Sequence, residues 1–384
     1  VKFAEKQTKT LLENVQHATQ QATLSDRSSN KPPVCPRSLG KDGSLNLVPS
    51  RDWCSGFFPG NLWFLYENTS DNFWKENAEN FIWKIEQEKD NGTTHDMGFK
   101  MLCSFGNAYR ITKDDRYNQV LIRSAYTLAK RFNDKVGAIR SWDHNKNKWE
   151  FPVIIDNMMN LELLFYAFNH THDSLFYKIA VSHANVTLKN HFRSDYSSYH
   201  VVDYDSINGN AIRKSTHQGL NDSSSWSRGQ GWALYGYTMC YRETKNKVYL
   251  HAAQRIAGFI LNHKNLPEDK IPYFDFDAKP GKTTPRDASA AALIASALYE
   301  LSLYDESTSK QYIDAANLII KNLTNKYHPK AGGSKGFLLN HSTGGFTLDM
   351  EVDVPIIYAD YYYLEALTRK KMLINKQTID FNSK

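Results

Sequence analysis

The chain has 384 residues, 41% hydrophobic and 23% charged, a globular balance from which a sizeable core is expected. Its net charge of +6 comes without a Lys/Arg block or a known reader motif; that argues against nucleic acid but suits an anionic small substrate. No run of about 18 apolar residues occurs, so no membrane span is expected.

Residues 1–24 read as an amphipathic helix, with Phe3, Leu11, Leu12 and Val15 on or near one face. Residues 25–56 are loop-like, carrying Pro32-Pro33, Pro36, Gly40 and Gly43. Helical patterns follow at 59–69, 72–89, 98–111, 114–132, 156–169, 173–190, 228–243, 247–263, 287–303, 308–325 and 355–370. Strand signals are short, at Tyr199-His200-Val201-Val202 and Phe337-Leu338-Leu339.

The linkers alternate. Those before 72, 114, 173, 247 and 308 are short and carry helix-start residues such as Asp71, Asp114 and Asp173. Those before 59, 98, 156, 228, 287 and 355 are longer and rich in Trp, Gly, His, Arg and Asp. Six helical hairpins in a ring would produce this alternation, with inner helices all starting at one end and the long loops gathered there. A superhelical solenoid is the rival. No Pro/Ser linker or charge run divides the chain, so one domain over 1–384 is expected.

The four cysteines, Cys35, Cys54, Cys103 and Cys240, show no metal spacing. Cys103 and Cys240 fall in apolar helical runs, whereas Cys35 and Cys54 lie in adjacent loops and could pair. The chain begins Val1-Lys2-Phe3, which fits a processed export signal or a trimmed chain. A periplasmic or secreted location is therefore expected, with a cytoplasmic one also open. The expected state is a monomer or weak homodimer.

The stretch Ile154-Ile155-Asp156-Asn157-Met158-Met159-Asn160-Leu161 opens a helix that is apolar nearly all round, as an inner helix should be. Asp156 stands where its N-cap belongs. Capping would suffice to explain it, but Asp96 occupies the same place before the preceding inner helix. In a ring the two carboxyl groups would face one mouth. Two close carboxylates split their pKa values, so that one can stay protonated near neutral pH. Trp53, Trp142, Trp226 and Trp232 could stack on a sugar or pack the core, and Arg228 could grip a carboxylate or cap a loop. The scattered His residues make no metal pair.

Together, His95-Asp96-Met97-Gly98-Phe99, Ile155-Asp156-Asn157-Met158-Met159-Asn160-Leu161, Thr216-His217-Gln218-Gly219 and Ser225-Trp226-Ser227-Arg228-Gly229-Gln230-Gly231-Trp232 resemble the motifs of the unsaturated glucuronyl hydrolases, glycoside hydrolase family 88. The likeness spans residues 53 to 365 in the family's order. It implies an all-α (α/α)6 barrel that uses no metal and no organic cofactor. It implies that Asp156 is the general acid/base and Asp96 its essential partner. By motif match, Trp53, His95, Trp142, His200, His217, Gln218, Arg228 and Trp232 resemble the substrate-contacting set. Gly231 stands where the family usually has Ala, and 333–350 matches less closely.

The implied reaction is hydration of the vinyl ether in a 4,5-unsaturated uronic acid, releasing it from an oligosaccharide made by a lyase, such as those from chondroitin, hyaluronan or heparin. An unsaturated rhamnogalacturonyl hydrolase and a non-catalytic helical glycan-binding protein are the other readings. Ser334 and Lys335, in a Gly-rich segment before the last inner helix, are candidates to meet a sulfate on the second sugar. An ordinary solvated loop is the alternative there.

Overall fold

The computed structural model describes residues 1–25 and 33–375. The loop-like reading of 25–56 and the single domain over 1–384 thus include residues, 26–32 and 376–384, that lie outside the described ones. Twelve α-helices are found among the described residues: α1 (Lys2–Ser25), α2 (Phe57–Thr69), α3 (Asn72–Ile85), α4 (Asn107–Thr112), α5 (Asp115–Ala129), α6 (Asn157–Thr171), α7 (Ser174–Asn190), α8 (Ser227–Thr244), α9 (Lys247–Asn262), α10 (Ala288–Leu301), α11 (Glu306–Asn322) and α12 (Ile357–Ile374). A π-helical stretch, Gly98–Gly106, runs directly into α4.

The inner helices form a closed ring. α2 packs on the π-helical stretch, that stretch on α6, α6 on α8, α8 on α10, α10 on α12, and α12 back on α2. Closure makes this an (α/α)6 barrel and rules out the open solenoid. Sequence dictates which helices go inside. α6 is buried from Asn157 to Ala167, and α10, with six alanines among fourteen residues, is buried along its whole length. Alanine lets neighbouring backbones approach closely and costs no side-chain entropy. α3, α5, α9 and α11 bury one stripe only and lie outside, as amphipathic helices do.

Four of the short turns repeat one hydrogen-bonded unit. In Thr69-Ser70-Asp71, Thr112-Lys113-Asp114, Thr171-His172-Asp173 and Thr244-Lys245-Asn246, the Thr hydroxyl donates to the carbonyl four residues back. The same oxygen accepts the N–H of the third residue. The middle residue has φ of 56–59°, and the third caps the next helix by accepting the N–H two residues on. Four of the inner helices therefore end, and their outer partners begin, in the same way, which leaves the long loops at the opposite end.

At that end the chain is not purely helical. β1 (Cys35–Leu39) pairs with β2 (Leu45–Val48), and β3 (Phe132–Asn133) with β4 (Ala138–Ile139), both antiparallel. β5 (Phe151–Ile154), β6 (Val201–Tyr204) and β7 (Ala211–Ser215) form an antiparallel sheet with Ile154 opposite Val201. The strand signal at 199–202 thus corresponds to β6. Phe337-Leu338-Leu339 is not a strand: the Leu338 and Leu339 N–H groups donate to the Asp360 carboxylate of α12, which satisfies a buried backbone without a partner strand. Cys35 and Cys54 are both buried and free, and the Cys35 thiol donates to the Ser55 carbonyl, so the possible disulfide is absent. Cys240 is buried and Cys103 partly so. Among the described residues no helix is long and apolar enough to cross a membrane.

Candidate active site

The long loops enclose a cleft of about 470 Å³ lined by, among others, Trp53, Asp96, Trp142, Asp156, His217 and Arg228. β5 delivers Asp156 to the cleft and α6 begins one residue later. Asp156 already has helical dihedrals (φ −56°, ψ −28°), and its carboxyl makes no capping bond. This corrects the expected cap. A capping residue needs extended backbone for its side chain to turn back onto the helix N–H groups. Here the carboxyl is left to face the cleft.

The Asp156 side chain is 12% exposed, and burial pushes its pKa up to about 7. The nearby guanidinium of Arg228 and the Trp232 indole pull it down, while the charge of Asp96 adds to the rise. His200 Nε2 lies 3.5 Å from Asp156 Oδ2. His200 Nδ1 accepts the backbone N–H groups of His217 and Gln218, both at 3.2 Å, so the ring proton sits on Nε2, facing Asp156. Burial holds the His200 pKa well below its ordinary value, with His217 and Arg228 adding to the effect; the ring is neutral.

Asp96 reaches the cleft from the turn before the π-helical stretch. The Thr94 hydroxyl donates to its Oδ2 at 2.5 Å, and His95 Nε2 is 3.2 Å from its Oδ1. His95 is buried, and its pKa is lowered by that burial. The two carboxyl groups therefore differ in setting: Asp156 is enclosed, whereas the Asp96 side chain is 20% exposed and held by a hydroxyl.

Arg228 is wholly buried, and its fork is already occupied. It donates to Asp287 at 2.7 Å, to the Thr343 carbonyl at 2.6 Å and to the Gly344 carbonyl at 2.5 Å, with its guanidinium 4.4 Å from the Trp226 ring. Of the two readings open for Arg228, the loop-fixing one matches these bonds. Gln218 Nε2 donates to the same Gly344 carbonyl at 2.8 Å. Both residues hold a hairpin in which Ser342 pairs with Val354 and Gly345 with Met350. On its other side Arg37 donates to Glu351 at 2.7 Å and to Asp52 at 3.0 Å. Gly344, Met350 and Glu351 of this hairpin form one wall of the cleft.

The aromatic candidates divide. Trp53 lines the cleft and is braced by Tyr358, ring centroids 5.0 Å apart. Trp142 also lines it, stacked on His144 at 5.4 Å. His217 stands beside Trp142, its pKa lowered by partial burial and by Lys148 and His144. Trp232 is 1% exposed, packs on Phe99 and Tyr362, and is not part of the cleft wall. It supports Asp156 from behind and offers no face for stacking. His95 is in the wall, whereas His200 acts from behind it.

Ser334 and Lys335 are not brought to the cleft. Their turn packs on α1: Gln7 donates to the Gly333 and Phe337 carbonyls, and Asn14 to the Lys335 carbonyl. A Cβ at Gly336 would meet the Leu11 nitrogen at 2.3 Å, so this glycine lets the turn seat on the helix. The residues that reach the cleft instead, Gly344, Met350 and Glu351, follow a few positions later. Arg37, Arg51 and Tyr358 are lining residues that sequence reasoning missed. Among the described residues no three His, Cys, Asp or Glu side chains are grouped to hold a metal ion.

Comparison with known proteins agrees with this architecture. Residues 38–363 match the model of Glycosyl Hydrolase Family 88. An unsaturated glucuronyl hydrolase of Formosa agariphila is 51% identical over 344 residues, which is 89% of this chain and 86% of that protein. An unsaturated chondroitin disaccharide hydrolase of Streptococcus agalactiae is 31% identical, over 84% of this chain and 82% of that one. A crystal structure of an unsaturated glucuronyl hydrolase specific for heparin superposes with a TM-score of 0.88 at 45% identity, covering 98% of this chain and all of the other. With a match over most of its length and a ring of the same shape, the chain belongs to glycosyl hydrolase family 88.

Proposed function

We propose that this enzyme removes the 4,5-unsaturated uronic acid from the non-reducing end of glycosaminoglycan oligosaccharides produced by lyases. The observation that carries the reading is the state of Asp156: a carboxyl group released from capping, buried in the cleft wall, with its pKa raised to about 7. Such a group can hold a proton near neutral pH and give it up to carbon. The relatives, an unsaturated glucuronyl hydrolase and an unsaturated chondroitin disaccharide hydrolase, supply the substrate class.

The C4=C5 bond of the substrate is a vinyl ether to the ring oxygen. Asp156 protonates C4, and the positive charge at C5 is shared with that oxygen. Water adds at C5, and its proton passes to the Asp156 carboxylate, restoring the acid. The C5 hemiketal then opens and the second sugar leaves. Asp96, at the same mouth, favours the cationic stage. His200 Nε2–H steadies Asp156 as it changes charge. Because the bond is hydrated and not displaced, carboxylate separation does not set stereochemistry as in ordinary glycosidases. Trp53 and Trp142 offer apolar faces for the two sugars.

The test is loss of the ultraviolet absorbance of the conjugated uronate on a panel of lyase-made disaccharides. Loss on chondroitin, hyaluronan or heparin products is expected. Turnover of pectin-derived substrates alone would favour a rhamnogalacturonyl hydrolase, and binding without loss of absorbance a glycan-binding protein.

A further inference from the structure

Hydration as proposed above needs carboxyl groups from two different hairpins held in fixed register, and the two reach the cleft on separate loops. We propose that Asn160 is the positioning residue that sets Asp96 against Asp156. The inference rests on that functional reading. Asn160 is fully buried on α6, one turn beyond Asp156.

Its side chain caps a helix other than its own. The first helical bond after Asp96 runs from the Lys100 N–H to the Asp96 carbonyl at 3.1 Å. The N–H groups of Gly98 and Phe99 precede it and lack helical partners, as at any helix start. Asn160 Oδ1 accepts both, at 2.8 Å and 3.2 Å. The amide nitrogen of Asn160 has no partner, so these two bonds alone orient the group. The helix that begins at Asp96 is thereby tied at its first turn to the helix that begins after Asp156.

Gly98 lets the tie form. A Cβ there would lie 2.8 Å from Asn160 Cα and 2.8 Å from its Oδ1. The two backbones are therefore in close contact at this point. Sliding or tilting the Asp96 segment would break both bonds and strand two buried N–H groups, each at the cost of an unsatisfied donor. Asn160 thus acts through Asp96 and does not touch the reacting atoms. The charged and titratable groups that face Asp156 are Asp96 from that segment, Arg228 from α8 and His200 from the approach to β6. Only the first of these depends on Asn160.

The experiment compares Asn160→Ala and Asn160→Asp with the parent in the absorbance assay, across pH. Asn160→Ala removes the shared acceptor. We expect kcat to fall about 10–100-fold, the scale of a small misplacement of a reacting group. KM should stay within about twofold, since the sugar-facing residues are untouched. The alkaline limb of the kcat profile should move to lower pH, because Asp96 would no longer be held where its charge raises Asp156. Asn160→Asp keeps an acceptor for both N–H groups and should regain at least a large part of the lost rate. If Asn160→Ala does not fold, Asn160→Ser takes its place with the same outcomes, since the shorter hydroxyl cannot serve both donors. A folded variant with parental kcat and an unmoved limb would overturn the inference, as would a loss that Asn160→Asp does not relieve. Absence of turnover by the parent would instead defeat the functional reading itself.

Discussion

His200 Nε2 lies 3.5 Å from the Asp156 carboxyl, and the ring is fixed from its far side, where two backbone N–H groups occupy Nδ1. A neutral imidazole fixed in one tautomer can support a carboxyl group in both charge states. It offers a weak contact to the acid and a stronger one to the carboxylate. In the proposed reaction Asp156 would cycle between the two forms without the loop around it having to move.

Asp156→Asn should separate fold from chemistry. Asp156 makes no capping bond, so the substitution removes none, and secondary structure and cooperative unfolding should be retained. The transferable proton is lost. Turnover should therefore drop at least about 10²–10⁴-fold, the contribution of a general acid. A folded variant with near-parental kcat would show that another group protonates C4.

The raised pKa of Asp156 gives two dependences on pH, with signs that can be worked out. With Asp156 as the proposed acid, kcat should fall as pH rises through about 7. For stability, the folded-state pKa lies above the unfolded value, so the folded protein holds its proton more tightly. This contribution is complete below the unfolded value, near 4, and is lost as pH rises through about 7. Asn cannot ionise. Asp156→Asn should therefore gain stability over the parent between pH 5 and pH 8 by about 2–3 kcal/mol, at ~1.4 kcal/mol per pH unit between the two pKa values. Urea unfolding of both proteins at the two pH values measures this. A constant difference would mean that Asp156 titrates normally.

What could be read from the sequence follows from what is local. α6 and α10 are apolar on all sides, and that alone places them inside the ring. The caps Asp71, Asp114 and Asp173 were equally legible, because capping acts within three residues. Cues of that kind misled at Asp156, where the right residue in the right place has helical backbone and turns its carboxyl away. Ser334 and Lys335 were misplaced for a different reason. Their turn is captured by Gln7 of α1, more than 300 residues away, and nothing near Lys335 announces that contact. The π-helical stretch and the trans cap on it from Asn160 likewise depend on the ring being closed.

Because the Ser334–Lys335 turn faces α1, Lys335→Ala should not distinguish sulfated from unsulfated disaccharides. Its side chain is exposed and away from the cleft wall. kcat/KM should stay within about twofold of the parent on both, as expected of a surface change away from the site. A selective loss on the sulfated substrate would return this turn to the binding site.

Arg228→Lys tests whether the hairpin wall depends on a planar fork or only on a positive charge. Lysine keeps the charge but cannot donate in the fixed directions of a guanidinium. Arg228 now spans Asp287 on one side and the Thr343 and Gly344 carbonyls on the other. A single ammonium with three hydrogens can follow Asp287, which is buried and needs a counter-charge, and must then release at least one carbonyl. Gln218 still holds Gly344, so the hairpin should loosen without leaving. Each charge-assisted bond lost is worth ~1.5–3 kcal/mol, and thermal unfolding should show a destabilisation on that scale. KM should rise, because Gly344, Met350 and Glu351 form the wall the substrate meets. The alkaline limb set by Asp156 should move only slightly, since the positive charge remains nearby. If KM stayed parental while kcat alone collapsed, the guanidinium would be acting on the transition state and not through the hairpin.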